Sequence, residues 1–307
     1  MSGDENRENA TLSRVLCRFT FAVCRGTDCR FTIANHYCFL HPTSLYFYGV
    51  SYPSLIITFL GTGTSSGVPM IACDCPVCTS PDKKDKRLRS SIMVQSEKTT
   101  LVVDSGPDFR YQMLRANVKH LDAIVFTHSH KDHVAGLDDV RAFNFFQQEP
   151  MQVFASDATQ EAIVREFPYA FYEHKYPGLP EIKLNTIGME TFEVGDIPVT
   201  PILVWHLKMP VLGFRFGRFT YITDASRIED SEMEKIKGSD VLVLNALRKE
   251  KHISHFSLSE SIEVAKKLQI PQTYLTHISH QMGKHAEVEA ELPNGVNLAY
   301  DGLVIKC

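Results

Sequence analysis

Three imidazoles and a carboxylate fall within six residues at His128-Ser129-His130-Lys131-Asp132-His133. Neutral imidazole nitrogens and a carboxylate oxygen are ligands for divalent cations, so the chemistry these residues could do is that of a metal centre. His128 and His130 alternate along the chain, so both can point to one side. Asp132 and His133 come half a turn later and can face a neighbouring position, so the spacing suggests two cations rather than one. A lone H-x-H would be read as a polar loop with surface histidines. Here the group directly follows the apolar run 121–126, which reads as a buried strand, and precedes the small turn Ala135-Gly136. The end of a rigid strand can aim several ligands at one point.

The same placement recurs three times. His206 closes the strand-like run 197–204, Asp224 follows 219–223, and His277 follows 273–276. Each alone would be a loop residue more readily than a ligand. Together with His128, His130, Asp132 and His133 they make a set of seven strand-end groups.

A second constellation is Cys73-Asp74-Cys75-Pro76-Val77-Cys78. Thiolates in C-x-C-x-x-C spacing fill three corners of a zinc tetrahedron, so a fourth ligand must come from elsewhere. A redox-active C-x-x-C dithiol would open a helix, whereas Pro76 and Ser80-Pro81-Asp82 read as loop, and structural zinc is the preferred account. Two weaker signals accompany these. The run Gly61-Thr62-Gly63-Thr64-Ser65-Ser66-Gly67 after an apolar strand lets backbone amides approach an anion, with Thr64 and Ser65 as candidate contacts. It lacks a P-loop lysine and serves equally as a tight turn. Asp104, before Ser105-Gly106-Pro107, either orients a ligand imidazole or forms an Asx turn.

These groups need elements to carry them. Strands are expected at 55–60, 92–94, 98–103, 151–154, 191–194, 214–216 and 241–245, and helices at 109–116, 136–147, 157–167, 231–237 and 257–268. The pair 296–299 and 303–305 reads as a final hairpin about Asp301-Gly302. Residues 168–180, rich in Tyr, Phe and Pro and containing His174, read as a surface loop overhanging the site. Residues 1–54 read as an extension, with arginines interrupting every apolar run and Cys17, Cys24, Cys29 and Cys38 in no ligand spacing. The globular domain is placed at 55–307.

Composition sets the outer bounds. The 307 residues include 44% hydrophobic and 22% charged, as in ordinary globular proteins, and the formal net charge is −4. That balance gives no general attraction to nucleic acid or anionic membrane. No run of about 18 apolar residues exists, so no membrane span is expected. Eight cysteines in a chain of this length, three of them clustered, point to a metal and a reducing, cytoplasmic setting rather than a disulfide framework.

The H-x-H-x-D-H run resembles the motif of the metallo-β-lactamase superfamily. The resemblance implies an α/β (α+β) fold, a four-layer αββα sandwich with a di-metal site at the sheet edge. It also implies that His128, His130 and His206 hold one metal, that Asp132, His133 and His277 hold the other, and that Asp224 bridges them. An aspartate at the bridge, where the best-known class B β-lactamases have cysteine, argues against β-lactam hydrolysis. Leu60-Gly61-Thr62-Gly63, the cysteine triplet and Asp104-Ser105-Gly106-Pro107-Asp108-Phe109 together resemble the PhnP-type phosphodiesterases, with PqqB-like proteins sharing parts of the pattern. That narrower resemblance implies His280 as the fourth structural-zinc ligand, and His255, with His252 in reserve, as proton donor to the leaving group.

The expected function is hydrolysis of a small phosphodiester, a ribosyl cyclic phosphate included, by a metal-bridging hydroxide that Asp132 orients or deprotonates. The expected cofactors are two divalent ions, zinc or manganese, and one structural zinc. No stable nucleic-acid or membrane partner is expected; a homodimer is possible. Three rival readings stand beside it: tRNase Z-like RNA 3′-end cleavage, which usually adds a basic arm not evident here; glyoxalase II-like thioester hydrolysis, which lacks the cysteine triplet; and a non-catalytic PqqB-like protein, which tends to lose ligands.

Overall fold

A strand covered on both faces needs apolar residues at successive positions, and the runs Leu101-Val102-Val103 and Ala123-Ile124-Val125 have them. In the computed structural model, which describes residues 14–25, 28–39, 53–173 and 177–307, such strands form the middle of a layered sandwich. His174 and the side chains of Cys17, Cys24, Cys29 and Cys38 lie outside what is described.

The chain divides into units 1–51 and 52–307. In the first, β1 (Arg14–Arg25) and β2 (Asp28–Phe39) pair antiparallel with Arg25 opposite Asp28. The interrupted apolar runs had announced no such hairpin.

The second unit holds two mixed sheets. One contains β3 (Ile56–Gly61), β4 (Ser91–Gln95), β5 (Thr100–Val103), β6 (Ala123–Val125), β7 (Met151–Ala155) and β8 (Ile182–Thr186) in that spatial order. The other contains β9 (Phe192–Val194), β10 (Ile197–His206), β11 (Met209–Phe216), β12 (Phe219–Ile222), β13 (Arg227–Ile228), β14 (Val241–Asn245), β15 (Gln272–Thr276) and β16 (Val296–Leu298). A last strand, β17 (Val304–Lys306), pairs antiparallel with β3 and completes the first sheet.

Side-chain alternation sorts the burial. Ile92, Val94, Leu101, Val103, Ala123 and Val125 face inward and pack with Val199, Phe214, Phe216, Phe219, Tyr221 and Val243 between the sheets. Their neighbours Met93, Val102 and Ile124 face out, under α1 (Phe109–Arg115), α3 (Arg141–Gln147) and α4 (Asp157–Glu166), meeting Phe109, Met113, Phe143 and Ile163. The short α2 (Lys131–Val134) joins this layer through Val134. On the opposite outer face Ile202, Ile222, Leu242 and Leu244 pack with Met233 and Ile236 of α5 (Asp230–Ile236) and Leu268 of α6 (Leu258–Leu268). The order is therefore helix, sheet, sheet, helix, as expected. A further short helix, α7 (His285–Glu289), sets Val288 against Leu298. Among the described residues, no helix is long and apolar enough to cross a membrane.

Three local expectations are corrected. Residues 296–299 and 303–305 do not form a hairpin: β16 pairs parallel with β15 in one sheet, while β17 joins the other. The turn between them is a crossing, held where Gly302 N–H donates to Phe59 O and Asp301 accepts from the Thr62 hydroxyl and Leu88 N–H. The helix expected over 136–147 starts as a 3-10 turn, Leu137–Val140, before α3. The stretch Pro168–Phe171 does not overhang the site with its aromatics. It is a 3-10 turn with Ala170 buried and Tyr169 and Phe171 packed onto the helical layer, because burying those rings removes more apolar surface than a loop would.

Candidate metal centre

The candidate groups collect where strands end. Thr127 follows β6 by two residues, His206 closes β10, Asp224 follows β12 by two residues and His277 follows β15 at once. Leu212 N–H donates to Thr127 O (3.0 Å), tying β11 of one sheet to the loop leaving the other. Asp104, Asp224 and His277 all adopt left-handed backbone, with φ of 64°, 57° and 55°. Ordinary side chains avoid that region, and its cost is met here by the packing around each residue.

Hydrogen bonds fix which nitrogen His128, His133 and His206 offer. The Thr127 hydroxyl donates to Asp104 Oδ2 (2.8 Å), so its oxygen is free to accept from His128 Nδ1–H (2.9 Å). His133 Nδ1–H donates to the same Asp104 oxygen at 2.7 Å, and His206 Nδ1–H donates to Ser254 O at 2.7 Å. Asp104 is thus the orienting carboxylate of its two sequence readings. The second nitrogens of His128 and His133 are buried with no hydrogen-bond partner, which is the state of an imidazole prepared to ligate.

Charge converges on the same point. His133 Nε2 lies 3.3 Å from Asp132 Oδ2 and 3.3 Å from Asp224 Oδ2. Burial by itself would lower the His133 pKa, but Asp224 and Asp104 outweigh it and raise it well above the ordinary value. Burial would raise Asp224, and His277 and His133 hold it well below the carboxylate range. Three carboxylates around one imidazole are an excess of negative charge that a cation satisfies. His128, His133 and Asp224 bring ligand atoms within 4.8 Å of one another, and so do Asp132, His133 and His277. The residues present therefore fit divalent cations.

Two placements differ from the simple partition. Among the described residues, His130 enters no group of three this tight, although its ring is 4.6 Å from His128 and 5.1 Å from His206. His255, expected outside the ligand set, groups with His206 and Asp224, its Nδ1 3.8 Å from Asp224 Oδ1. Phe256 N–H donates to Ala225 O, and the Ser257–Glu260 capping box starts α6, so His255 is pinned beside Asp224 from both sides. His252 stands behind it, ring centroids 5.3 Å apart.

In the glycine-rich loop Gly63 N–H goes to Leu88 O, Thr64 N–H to Ile278 O and Gly67 N–H to Thr64 O, which closes a turn over 64–67. Gly61 is required by close approach, since a Cβ there would stand 1.9 Å from Arg89 O. The Thr64 hydroxyl lies 3.2 Å from His277 Nε2, and Ser65 is exposed with its carbonyl accepting from Arg89 Nε. Thr127 was not singled out from sequence, and its position between strand and motif was the available signal.

The three cysteines gather with His280, the residue that the narrower resemblance implies as fourth ligand. Cys73 and Cys75 Sγ each lie 3.3 Å from His280 Nδ1, and with Cys78 the four donors fall within 4.8 Å of one another. Neighbouring ligand atoms of a zinc tetrahedron stand about 3.5 Å apart. Cys78 N–H and His280 hold the Cys75 thiol down at about 6, while burial pushes Cys78 up to about 11. Ile278, between His277 and His280, bonds Thr62 O and accepts from Thr64 N–H, so one short loop serves both clusters.

Asp104→Asn keeps a residue that tolerates positive φ but removes the charge facing His133 and Thr127. The expected outcome is a 10–100-fold weaker hold on the cleft cations by equilibrium dialysis with zinc. Unchanged affinity would show that Asp104 does not support the ligand set.

A fold of this kind, with its donors at this edge, is that of a metallo-β-lactamase-type hydrolase. More particularly, the chain belongs to the β-lactamase superfamily, whose domain model, "Beta-lactamase superfamily domain", matches residues 99–278. It is 40% identical to a crystallised diphosphatase from the PhnP family, with TM-score 0.79, covering 84% of this chain and 98% of that one. It is 36% identical over 247 residues to an octanoyltransferase of Porphyromonas gingivalis, covering 80% of this chain and 50% of the relative. The chain thus spans about half the length of that relative. Zinc-bound PqqB from Methylobacterium extorquens shares the fold at 22% identity and TM-score 0.66, covering 81% of this chain and 99% of that one.

Proposed function

We propose that the protein is a metal-dependent phosphodiesterase acting on a small organic phosphodiester. The observation that carries this reading is that the buried Nε2 atoms of His128 and His133 make no hydrogen bond, while Asp132 and Asp224 each bring an oxygen to 3.3 Å from that of His133. The likeness to a PhnP-family diphosphatase supports chemistry at phosphorus. His128, His130 and His206 would hold one cation and Asp132, His133 and His277 a second, with Asp224 between them. Zinc or manganese suits this set, and a further zinc suits Cys73, Cys75, Cys78 and His280. Divalent ions bound there supply Lewis-acid polarisation of the phosphoryl group and a more acidic water.

The chain's own groups complete the reaction. Asp132 orients the attacking water and accepts its proton. His255 faces the leaving oxygen. Burial, then the neighbouring His277, lowers its pKa to about 3. It is therefore neutral at physiological pH and acts by donating its single N–H to the developing alkoxide, rather than as an imidazolium. Persisting thiols at Cys73, Cys75 and Cys78 suit a reducing, cytoplasmic setting.

The test is a panel of cyclic and linear phosphodiesters with zinc- and manganese-loaded protein, together with a thioester. Turnover of diesters is expected, with metal analysis near three ions per chain. Activity on the thioester alone would overturn the reading. In the same panel His255→Ala is expected to lower kcat about 100-fold on alkyl leaving groups and far less on p-nitrophenolate, which needs no donor. Equal losses on both would remove His255 from that role.

A further inference from the structure

A cavity of about 410 Å3 lies beside the candidate centre and shares His128 and Ser129 with it. It sits between the loops leaving β6, β7 and β8 and the β10–β11 hairpin. Its walls include Ile187, Met189, Leu203, Met209 and Leu212. The chain leaves this apolar surface partly open: Met189 is 42% exposed, and a Cβ added at Gly188 would meet nothing within 4 Å. A cavity of this size, mostly apolar with a few polar groups and bordered by a candidate metal ligand, has the makeup of a ligand subsite.

The wall also states what it does not accept. Among the described residues, no lysine or arginine lines it, and Asp157 is its one carboxylate. Asp157 sits in the first turn of α4 and already answers the positive end of that helix. A second phosphate or a carboxylate would meet that charge with no cation to offset it. Two methionine thioethers favour an aromatic face, and Ser156 and Asp157, bonded to Thr159 and Thr186, keep oxygen lone pairs that can accept from an amino group or a ring N–H.

We propose that this cavity binds a neutral aryl or heteroaryl substituent carried on the phosphodiester. The inference rests on the phosphodiesterase reading above. The arm lodged here is the one retained after cleavage, because His128 lines the cavity and His255, the group assigned above to the leaving oxygen, does not.

The experiment compares methyl p-nitrophenyl phosphate with phenyl p-nitrophenyl phosphate. Both release the same leaving group, so differences report the retained arm. The metal-loaded protein is expected to show a KM at least tenfold lower for the phenyl diester. Leu203→Phe, which fills the cavity, should bring the ratio of the two KM values toward one. Met189→Lys, at an exposed position that does not threaten folding, should favour a carboxyphenyl diester over the phenyl one by about fivefold. A ratio near one in the unmodified protein, or a ratio that neither variant moves, overturns the subsite and leaves the phosphodiesterase reading standing. Absence of turnover on both diesters overturns that reading and the subsite with it.

Discussion

Asp224→Asn is expected to lower kcat/KM on a phosphodiester by about three orders of magnitude, beyond the 10–100-fold typical of groups that only orient ligands. The substitution isolates charge. Asparagine has nearly the same shape and tolerates the left-handed backbone that Asp224 adopts, so folding is retained. What disappears is the carboxylate that stands 3.3 Å from His133 Nε2, 3.2 Å from His277 Nδ1 and 3.8 Å from His255 Nδ1. No other candidate ligand approaches all three. Metal analysis of the variant should show the cleft holding one ion or fewer, with a thermal midpoint within a few degrees of the parent. A rate within tenfold of the parent and unchanged metal content would mean that Asp224 does not join two cations.

Cys78→Ser is expected to act through stability first and turnover second. Cys78 is 5% exposed and packs with Val68 and Val77 in a small cluster whose other members include Cys73 and Cys75. With so little apolar packing, the loop depends on its fourfold donor set for shape. Losing a thiolate should release the zinc and cost about 3–5 kcal/mol, or roughly 10 °C in Tm for a domain of this size. Turnover should fall with it, because His280 leaving the cluster frees Ile278 from Thr62 and Thr64, and His277 is the adjacent residue. Differential scanning calorimetry and zinc content read the first effect, and kcat against KM reads the second. A variant with Tm within 2 °C that is inactive would place the cysteines in the chemistry instead.

Much of the site was legible because its donors are local in sequence or sit at strand ends. His128 to His133 need only one strand to aim them, and His206, Asp224 and His277 each follow an apolar run that could be read as a strand. Asp104 stayed ambiguous, since an Asx turn and an orienting carboxylate look alike until the partner 29 residues away is in place. The tail misled for a related reason. Two apolar runs about Asp301-Gly302 look like a hairpin locally, and only the pairing of β17 with β3 and of β16 with β15 shows that the turn changes sheets. The strand β8 was missed because its alternation Ile182-Lys183-Leu184-Asn185-Thr186 is short and follows a proline-rich stretch. The cavity beside His128 could not be read at all, since its walls come from four separated segments.

The pairing of β17 with β3 has a consequence for synthesis. Ile56 and Lys306 are register partners across 250 positions, so until residue 306 has been made β3 is an unpaired edge. At 5–20 residues per second that interval lasts roughly 12–50 s. An exposed strand edge invites pairing with other chains. Nascent β3 is therefore a natural point for chaperone attention. Ribosome stalling shortly before residue 304 should yield protease-sensitive chains even though every residue of both candidate metal clusters has already been made.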